Sequence, residues 1–264
     1  MSAVAEEEAR VSTEPILRVR GIVRDFGGVM AVAGADFDLN EGAITGLIGP
    51  NGAGKSTLVN IIAGAIRPRS GSITFRGADV TAQPPHLIAH RGIVRTFQMS
   101  SEFGKLTVLE NLLVAVPGQE GESFWGAMRG RRFWEKEEAA LVSQARVLLE
   151  RFSMTAKEEE YAGNLSGGQR RLVEIMRGLM AKPKLLLLDE PLAGVNPSLA
   201  QEILGYLGAL RDEGLTMLMV EHDLNAVERI CDPVIVMAQG KVLAQGTFAQ
   251  LRKQQEVLDA YFIG

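Results

Sequence analysis

The sequence holds a single cysteine, Cys231, among 264 residues. An internal disulfide is therefore excluded, and with it a cysteine-stapled secreted scaffold. Long apolar runs are also missing. The densest, residues 185–188 (LLLL), meets Asp189 and Glu190 at once, whereas a membrane-spanning helix needs about 20 apolar residues. The chain alone is expected not to cross a bilayer. Neither sign of charge dominates: 28 basic against 32 acidic side chains give a net charge of −4. No general field then draws nucleic acid or an anionic bilayer, a local basic patch apart. Glycine (29) and proline (10) are not in excess and 46% of residues are apolar. That composition excludes a disordered or collagen-like chain and leaves one large or two modest globular domains. The opening MSAVAEEEAR is acidic where a signal peptide is basic and then apolar, so a reducing, cytosolic setting is expected.

What is present is a sequence of alternating character. Residues 1–14, with Glu6, Glu7 and Glu8, read as a disordered acidic tail, with order expected from Pro15. ILRVRGIVRDF and AVAGADFDLN alternate as strands do around Gly27 and Gly28, and residues 43–49 (AITGLIG) suit a buried strand. A glycine-rich loop follows, then STLVNIIAGAI, whose Leu58, Ile61, Ile62 and Ala65 share a helical face. From Pro84 and Pro85 to about residue 180 the character turns helical. LTVLENLLVA (106–115) is one candidate, and Leu141, Ala145, Leu148, Leu149 and Phe152 mark one face of a long helix. Strand and helix then alternate again. KLLLLDEP (184–191) reads as a buried strand, Leu199, Ile203, Leu204, Leu207 and Leu210 as a helix stripe, and LTMLMVEHD (215–223) as a core strand. VIVMAQGKVLAQG (234–246) predicts a hairpin turning at Gln239 and Gly240. The expected organisation is one domain over residues 15–246, with helices inserted over about 85–180 and an amphipathic helical tail over 247–264.

Three stretches carry chemistry. Gly49, Pro50, Asn51, Gly52, Ala53, Gly54, Lys55, Ser56 and Thr57 fit G-x-x-x-x-G-K-[ST], between a predicted strand and a predicted helix. In such a loop successive N–H groups face one concavity and the helix N-terminus adds positive charge. Lys55 reaches the outer phosphates of a nucleotide, and the Ser56 hydroxyl can ligate Mg²⁺. Asp189 and Glu190 end the apolar strand at 185–188. They are candidates for holding the metal (Asp189) and polarising the attacking water (Glu190), and in isolation they equally suit a solvated strand end. Leu165, Ser166, Gly167, Gly168 and Gln169 open a further helix. They read either as a serine N-cap with a tight turn or as a second anion-binding terminus. Two phosphate-binding termini stand against one lysine and one carboxylate pair, so the second suits a nucleotide held by another copy.

These motifs, in this order, resemble the ATP-binding cassette (ABC) ATPases over nearly the whole chain. The resemblance implies an α/β P-loop core, an N-terminal antiparallel β region and an inserted helical subdomain. It also implies ATP and Mg²⁺ as cofactors. By that resemblance Phe26, in RDFGG, matches the aromatic that stacks on adenine, with a core phenylalanine as the alternative. Gln98, in RTFQ, matches the glutamine that senses Mg²⁺ and the γ-phosphate where the helical subdomain joins the core. His222, in VEHD, matches the histidine that contacts the γ-phosphate. One departure stands at Asn196, where many cassettes carry Asp; the amide keeps hydrogen bonding and loses charge.

RTFQ, LTVLENLLVA, FWGAMRGRRFW, AGVNP and DAYFIG together look like the ATP-binding subunits of branched-chain or hydrophobic amino acid importers. Cassettes for urea or short amides and for lipopolysaccharide export share parts of the pattern. The resemblance implies a head-to-tail dimer with a second ATPase chain, identical or paralogous. It further implies docking to integral membrane permeases at the cytoplasmic face of the inner membrane and, indirectly, a substrate-binding protein. Phe124, Trp125, Phe133 and Trp134, among Arg129, Arg131 and Arg132, fit a docking surface, the helical insertion's own core, or a membrane-surface helix. A cassette acting on nucleic acid usually carries two cassettes or a coiled coil, neither of which is present, so no nucleic acid partner is expected. A non-hydrolysing subunit would lack Lys55, Glu190 or His222, and a P-loop kinase would lack LSGGQ.

Overall fold

The computed structural model describes residues 14–96, 103–116 and 131–262, without the side chains of 131–137 and 260–262. The alternating segments near the start pair antiparallel as β1 (Leu17–Phe26) and β2 (Val29–Leu39). They turn at Gly27 and Gly28, where φ is 55° and 90°, a backbone that glycine adopts without steric cost. β4 (Ser70–Phe75) and β5 (Ala78–Asp79) complete a four-stranded sheet in the order β2-β1-β4-β5.

A second, six-stranded sheet is built from β3 (Ile44–Ile48), β6 (Ile93–Arg95), β7 (Leu185–Asp189), β8 (Thr216–Val220), β9 (Val234–Ala238) and β10 (Lys241–Gly246). Its order is β10-β9-β3-β8-β7-β6, parallel throughout except for the β10 edge. Every residue of β3, β8 and β9 is buried, which is why these strands read as continuous apolar runs. Alternate residues serve opposite layers. Leu185, Leu187, Leu218, Val220, Ile235 and Met237 share a core with the antiparallel sheet and α1 (Lys55–Ile62). Leu186, Leu188, Met217, Met219, Val234 and Val236 face the other helices.

Those helices include α3 (Val108–Val114), α4 (Arg131–Arg151), α5 (Gly167–Met180), α6 (Pro197–Asp212) and α7 (Leu224–Ile230). α2 (Pro85–Arg91) precedes them, and α8 (Phe248–Leu251) and α9 (Gln255–Phe262) follow β10. Two expectations are corrected. Residues 93–95, inside the stretch expected to be helical, form β6 and pair with β7. Ala65 is exposed and lies beyond α1, because the helix is closed at Ala63 and Gly64 turns left-handed with φ 74°. The 234–246 hairpin turns where predicted, with φ of 49° at Gln239 and 78° at Gly240, the pair of positive angles a tight two-residue turn demands. Among the described residues no helix is long and apolar enough to cross a membrane. Residues 1–13 of the acidic tail, Gln98, Phe124, Trp125 and Arg129 lie outside the described residues, as do the side chains of Arg131, Arg132, Phe133 and Trp134.

Candidate functional site

Three neighbouring parallel strands, β3, β8 and β7, bring their C-terminal ends to one edge of the sheet. Gly49 follows β3, Asp189 ends β7, and Glu221 and His222 follow β8. Sequence-distant motifs thus meet in the crevice where open parallel sheets bind ligands.

The loop from Gly49 to α1 is shaped by close backbone approaches. A Cβ on Gly49 would lie 2.0 Å from the Met237 carbonyl oxygen, and one on Gly54 would lie 2.2 Å from the Ala31 carbonyl oxygen. The Gly240 N–H donates to the Ala53 carbonyl at 3.1 Å, and the Ala33 N–H donates to the Gly240 carbonyl at 2.8 Å. The β9–β10 turn therefore ties the loop to the antiparallel sheet. Lys55 is buried, and its ammonium donates to the carbonyls of Gly49 and Pro50 at 2.7 and 3.0 Å. Burial lowers its pKa below the usual lysine value, opposed by the charges of Glu190 and Asp189. Asn51, Gly52 and Ser56 are exposed and Thr57 is half-buried, so the loop offers polar groups to a ligand from a rigid frame.

Asp189 Oδ2 accepts from Arg95 Nη2 at 2.7 Å, in a pair whose side chains are 22% and 14% exposed. Arg95 also donates to Asn60 Oδ1 on α1. Glu190 has φ 47°, a left-handed backbone uncommon for a residue with a side chain, and its N–H donates to the Val220 carbonyl at 2.9 Å. Backbone strain of this kind costs about 1–3 kcal/mol and collects at functional sites.

Glu221 carries no role in the sequence reading, yet it organises the edge. Only 1% exposed, it accepts from the Leu192 N–H at 2.9 Å and the His222 N–H at 3.2 Å. Burial pushes its pKa up, and those hydrogen bonds oppose the shift. The His222 ring is 65% exposed, with Nδ1 3.8 Å from Glu221 Oε2, so it is free to meet a ligand.

The remaining predicted residues lie elsewhere on the surface. Ser166 caps α5: its Oγ accepts from the Gln169 N–H at 3.2 Å, and Gln169 Oε1 accepts from the Ser166 N–H at 3.0 Å. Ser166 and Gly167 are exposed. A Cβ on Gly168 would sit 2.3 Å from Leu199 Cδ2, so glycine there lets α5 meet the start of α6. Asn196 caps α6, its Oδ1 accepting from the Leu199 N–H at 3.0 Å. Phe26 is 46% exposed at the β1–β2 turn, which removes the core alternative, and the Arg24 guanidinium lies 4.7 Å over its ring.

Known proteins resemble this chain in sequence and in fold. The family described as ABC transporter matches residues 32–193. The high-affinity branched-chain amino acid transport ATP-binding protein BraF of Pseudomonas aeruginosa is 38% identical over 250 residues, covering 94% of this chain and 98% of its own. A crystal structure of a nucleotide-free ATP-binding cassette from an ABC transporter superposes with a TM-score of 0.83 at 38% identity, covering 94% of this chain and 98% of its own. A cassette in its ADP conformation gives 0.82 at 37% identity, with 95% and 99% covered. A glycine loop after β3, a carboxylate pair at the end of β7, two strands away in the same sheet, and this family match lead to one conclusion: the chain belongs to the ABC transporter family and is an ATP-binding cassette ATPase.

Proposed function

We propose that this chain powers the import of branched-chain or other hydrophobic amino acids, hydrolysing ATP on the cytoplasmic side of permease subunits embedded in the inner membrane. The observation that carries the reading is the convergence of Lys55, Asp189, Glu190 and His222 at one edge of the parallel sheet. Cargo class is supported by relatives named for branched-chain amino acid transport that align over almost the full chain.

The loop N–H groups from Asn51 to Thr57 and the Lys55 ammonium bind the phosphates, and exposed Phe26 stacks on adenine. The Ser56 hydroxyl and the Asp189 carboxylate, one on α1 and one at the end of β7, are hard oxygen donors of the kind that would hold Mg²⁺. When bound, Mg²⁺ neutralises charge on the outer phosphates. Glu190 accepts a proton from the attacking water, held in place by its strained backbone. His222, anchored by Glu221 through its N–H, contacts the γ-phosphate, and Gln98 links the site to the helical segment that follows.

The Ser166–Gln169 turn, exposed at Ser166 and Gly167, serves the nucleotide of a second ATPase chain, identical or paralogous, in a head-to-tail dimer. Closure is driven because the γ-phosphate is contacted in the closed state and not in the open one, so its loss resets the pair. A substrate-binding protein delivers cargo to the permeases and never touches this chain. The test is purification of the native assembly from detergent extract and reconstitution into vesicles: ATP-dependent uptake of leucine or valine is expected, and uptake of urea or short amides instead overturns the cargo.

A further inference from the structure

The Arg95 guanidinium links the two residues assigned to the metal, touching Asp189 directly and Ser56 through Asn60. Its Nη2 donates to Asp189 Oδ2 at 2.7 Å, and its Nη1 donates to Asn60 Oδ1. Asn60 in turn donates through Nδ2 to the Ser56 carbonyl at 2.7 Å. A continuous chain of hydrogen bonds thus runs from the end of β7, through the end of β6, to the first turn of α1. Arg95 is only 14% exposed and Asp189 22%, so the pair is screened far less than a surface ion pair. The planar guanidinium presents several donors in a fixed fork, so one side chain can hold two acceptors at a set separation. An ammonium reaches one of them. Arg95 also lies beside Leu187 in the sheet register, three residues before Gln98 in the chain.

We propose that Arg95 is a positioning residue for the metal end of the site: its fork holds the Asp189 carboxylate in place relative to the Ser56 turn of α1, the two groups that would hold Mg²⁺, and joins both to the end of β6. The inference rests on the Mg²⁺ assignment made above. Groups that hold metal ligands by hydrogen bonding typically change metal affinity by about 10–100-fold when removed. A role in general folding would change nucleotide affinity and melting temperature whether or not metal is present. A positioning role changes only the part of the affinity that depends on metal.

The experiment measures equilibrium binding of a fluorescent ATP analogue to the full chain in Mg²⁺ and in EDTA, for wild type, Arg95→Lys and Arg95→Gln, with Tm recorded alongside. In wild type, Mg²⁺ tightens binding. Both variants are expected to lose about tenfold of that gain, with affinity in EDTA held within about twofold and Tm nearly unchanged. Arg95→Lys keeps the charge and loses the fork, so its loss of the gain assigns the effect to geometry. Asn60→Ala opens the other arm, reports in the same direction, and serves where an Arg95 variant does not fold. An unchanged or larger Mg²⁺ gain in the variants overturns the proposal, as does an equal loss in EDTA. If wild type itself is indifferent to Mg²⁺, the metal assignment fails, and the inference falls with it.

Discussion

The Lys55 ammonium donates to the Gly49 carbonyl at 2.7 Å and to that of Pro50 at 3.0 Å. One side chain therefore closes the loop and supplies its positive charge. Lys55→Ala removes both, and hydrogen bonds to charged groups are worth about 1.5–3 kcal/mol. Affinity for an ATP analogue is expected to fall at least about 10-fold, read by fluorescence titration, while the far-UV circular dichroism stays that of wild type. Unchanged affinity would remove Lys55 from the phosphate site.

The frame around that loop is tested at Gly49. A methyl group there would lie 2.0 Å from the Met237 carbonyl oxygen on the neighbouring strand, so β3 and β9 must shift apart. Gly49→Ala is expected to cost about 1–3 kcal/mol in urea unfolding, as overpacking does, and to weaken nucleotide binding. Gly208, on α6, has nothing within 4 Å of its added Cβ. Gly208→Ala is expected to gain about 0.5–1 kcal/mol through helix propensity and to leave binding unchanged.

The single thiol gives an independent check on packing. Cys231 is 4% exposed, and burial, with a smaller contribution from the Glu221 charge, pushes its pKa up to about 12. The reactive thiolate is therefore scarce at pH 8 in the folded chain. Ellman's reagent at pH 8 should find almost no reactive thiol in the native protein and one equivalent in guanidinium. Rapid reaction of the native protein would mean that the Gly46–Cys231 contact, with a Cβ at Gly46 3.3 Å from Sγ, opens readily.

The site's shared character is tested by complementation. Ser166 is exposed at the start of α5, and on the proposed head-to-tail dimer a large cation there would block a partner's nucleotide while leaving the chain's own loop intact. Lys55→Ala and Ser166→Arg chains, each inactive alone, should recover about one working site per mixed dimer in an ATPase assay. A mixture as inactive as its parents would mean that each chain works on its own nucleotide.

Much of this was legible where local pattern and chemistry coincide. The run at 185–188 announces a strand because β7 is buried on both faces, and Gln239 and Gly240 announce a turn because a two-residue hairpin needs positive φ. The strand, glycine loop and helix around Lys55 form one contiguous unit. What escaped depends on distant contacts. β6 has three residues between helices, too few for any period to show, and becomes a strand only by pairing with β7. Glu221 carries no signal in the core strand around it, because its partner, the Leu192 N–H, lies 29 residues away. Arg95 reads as an ordinary basic residue until the fold sets Asp189 and Asn60 on either side of it.

In the proposed mechanism Glu190, the carboxylate that follows β7, is the base for ATP hydrolysis. Glu190 sits there with a left-handed backbone at φ 47°, its N–H fixed to the Val220 carbonyl. Glu190→Gln keeps the shape and removes the base. The most direct measurement is single-turnover ATP hydrolysis alongside equilibrium ATP binding for this variant. Binding is expected within about twofold of wild type and hydrolysis slowed by about 10²–10⁴-fold, with the ATP-bound dimer accumulating on size exclusion. Hydrolysis at the wild-type rate would contradict it.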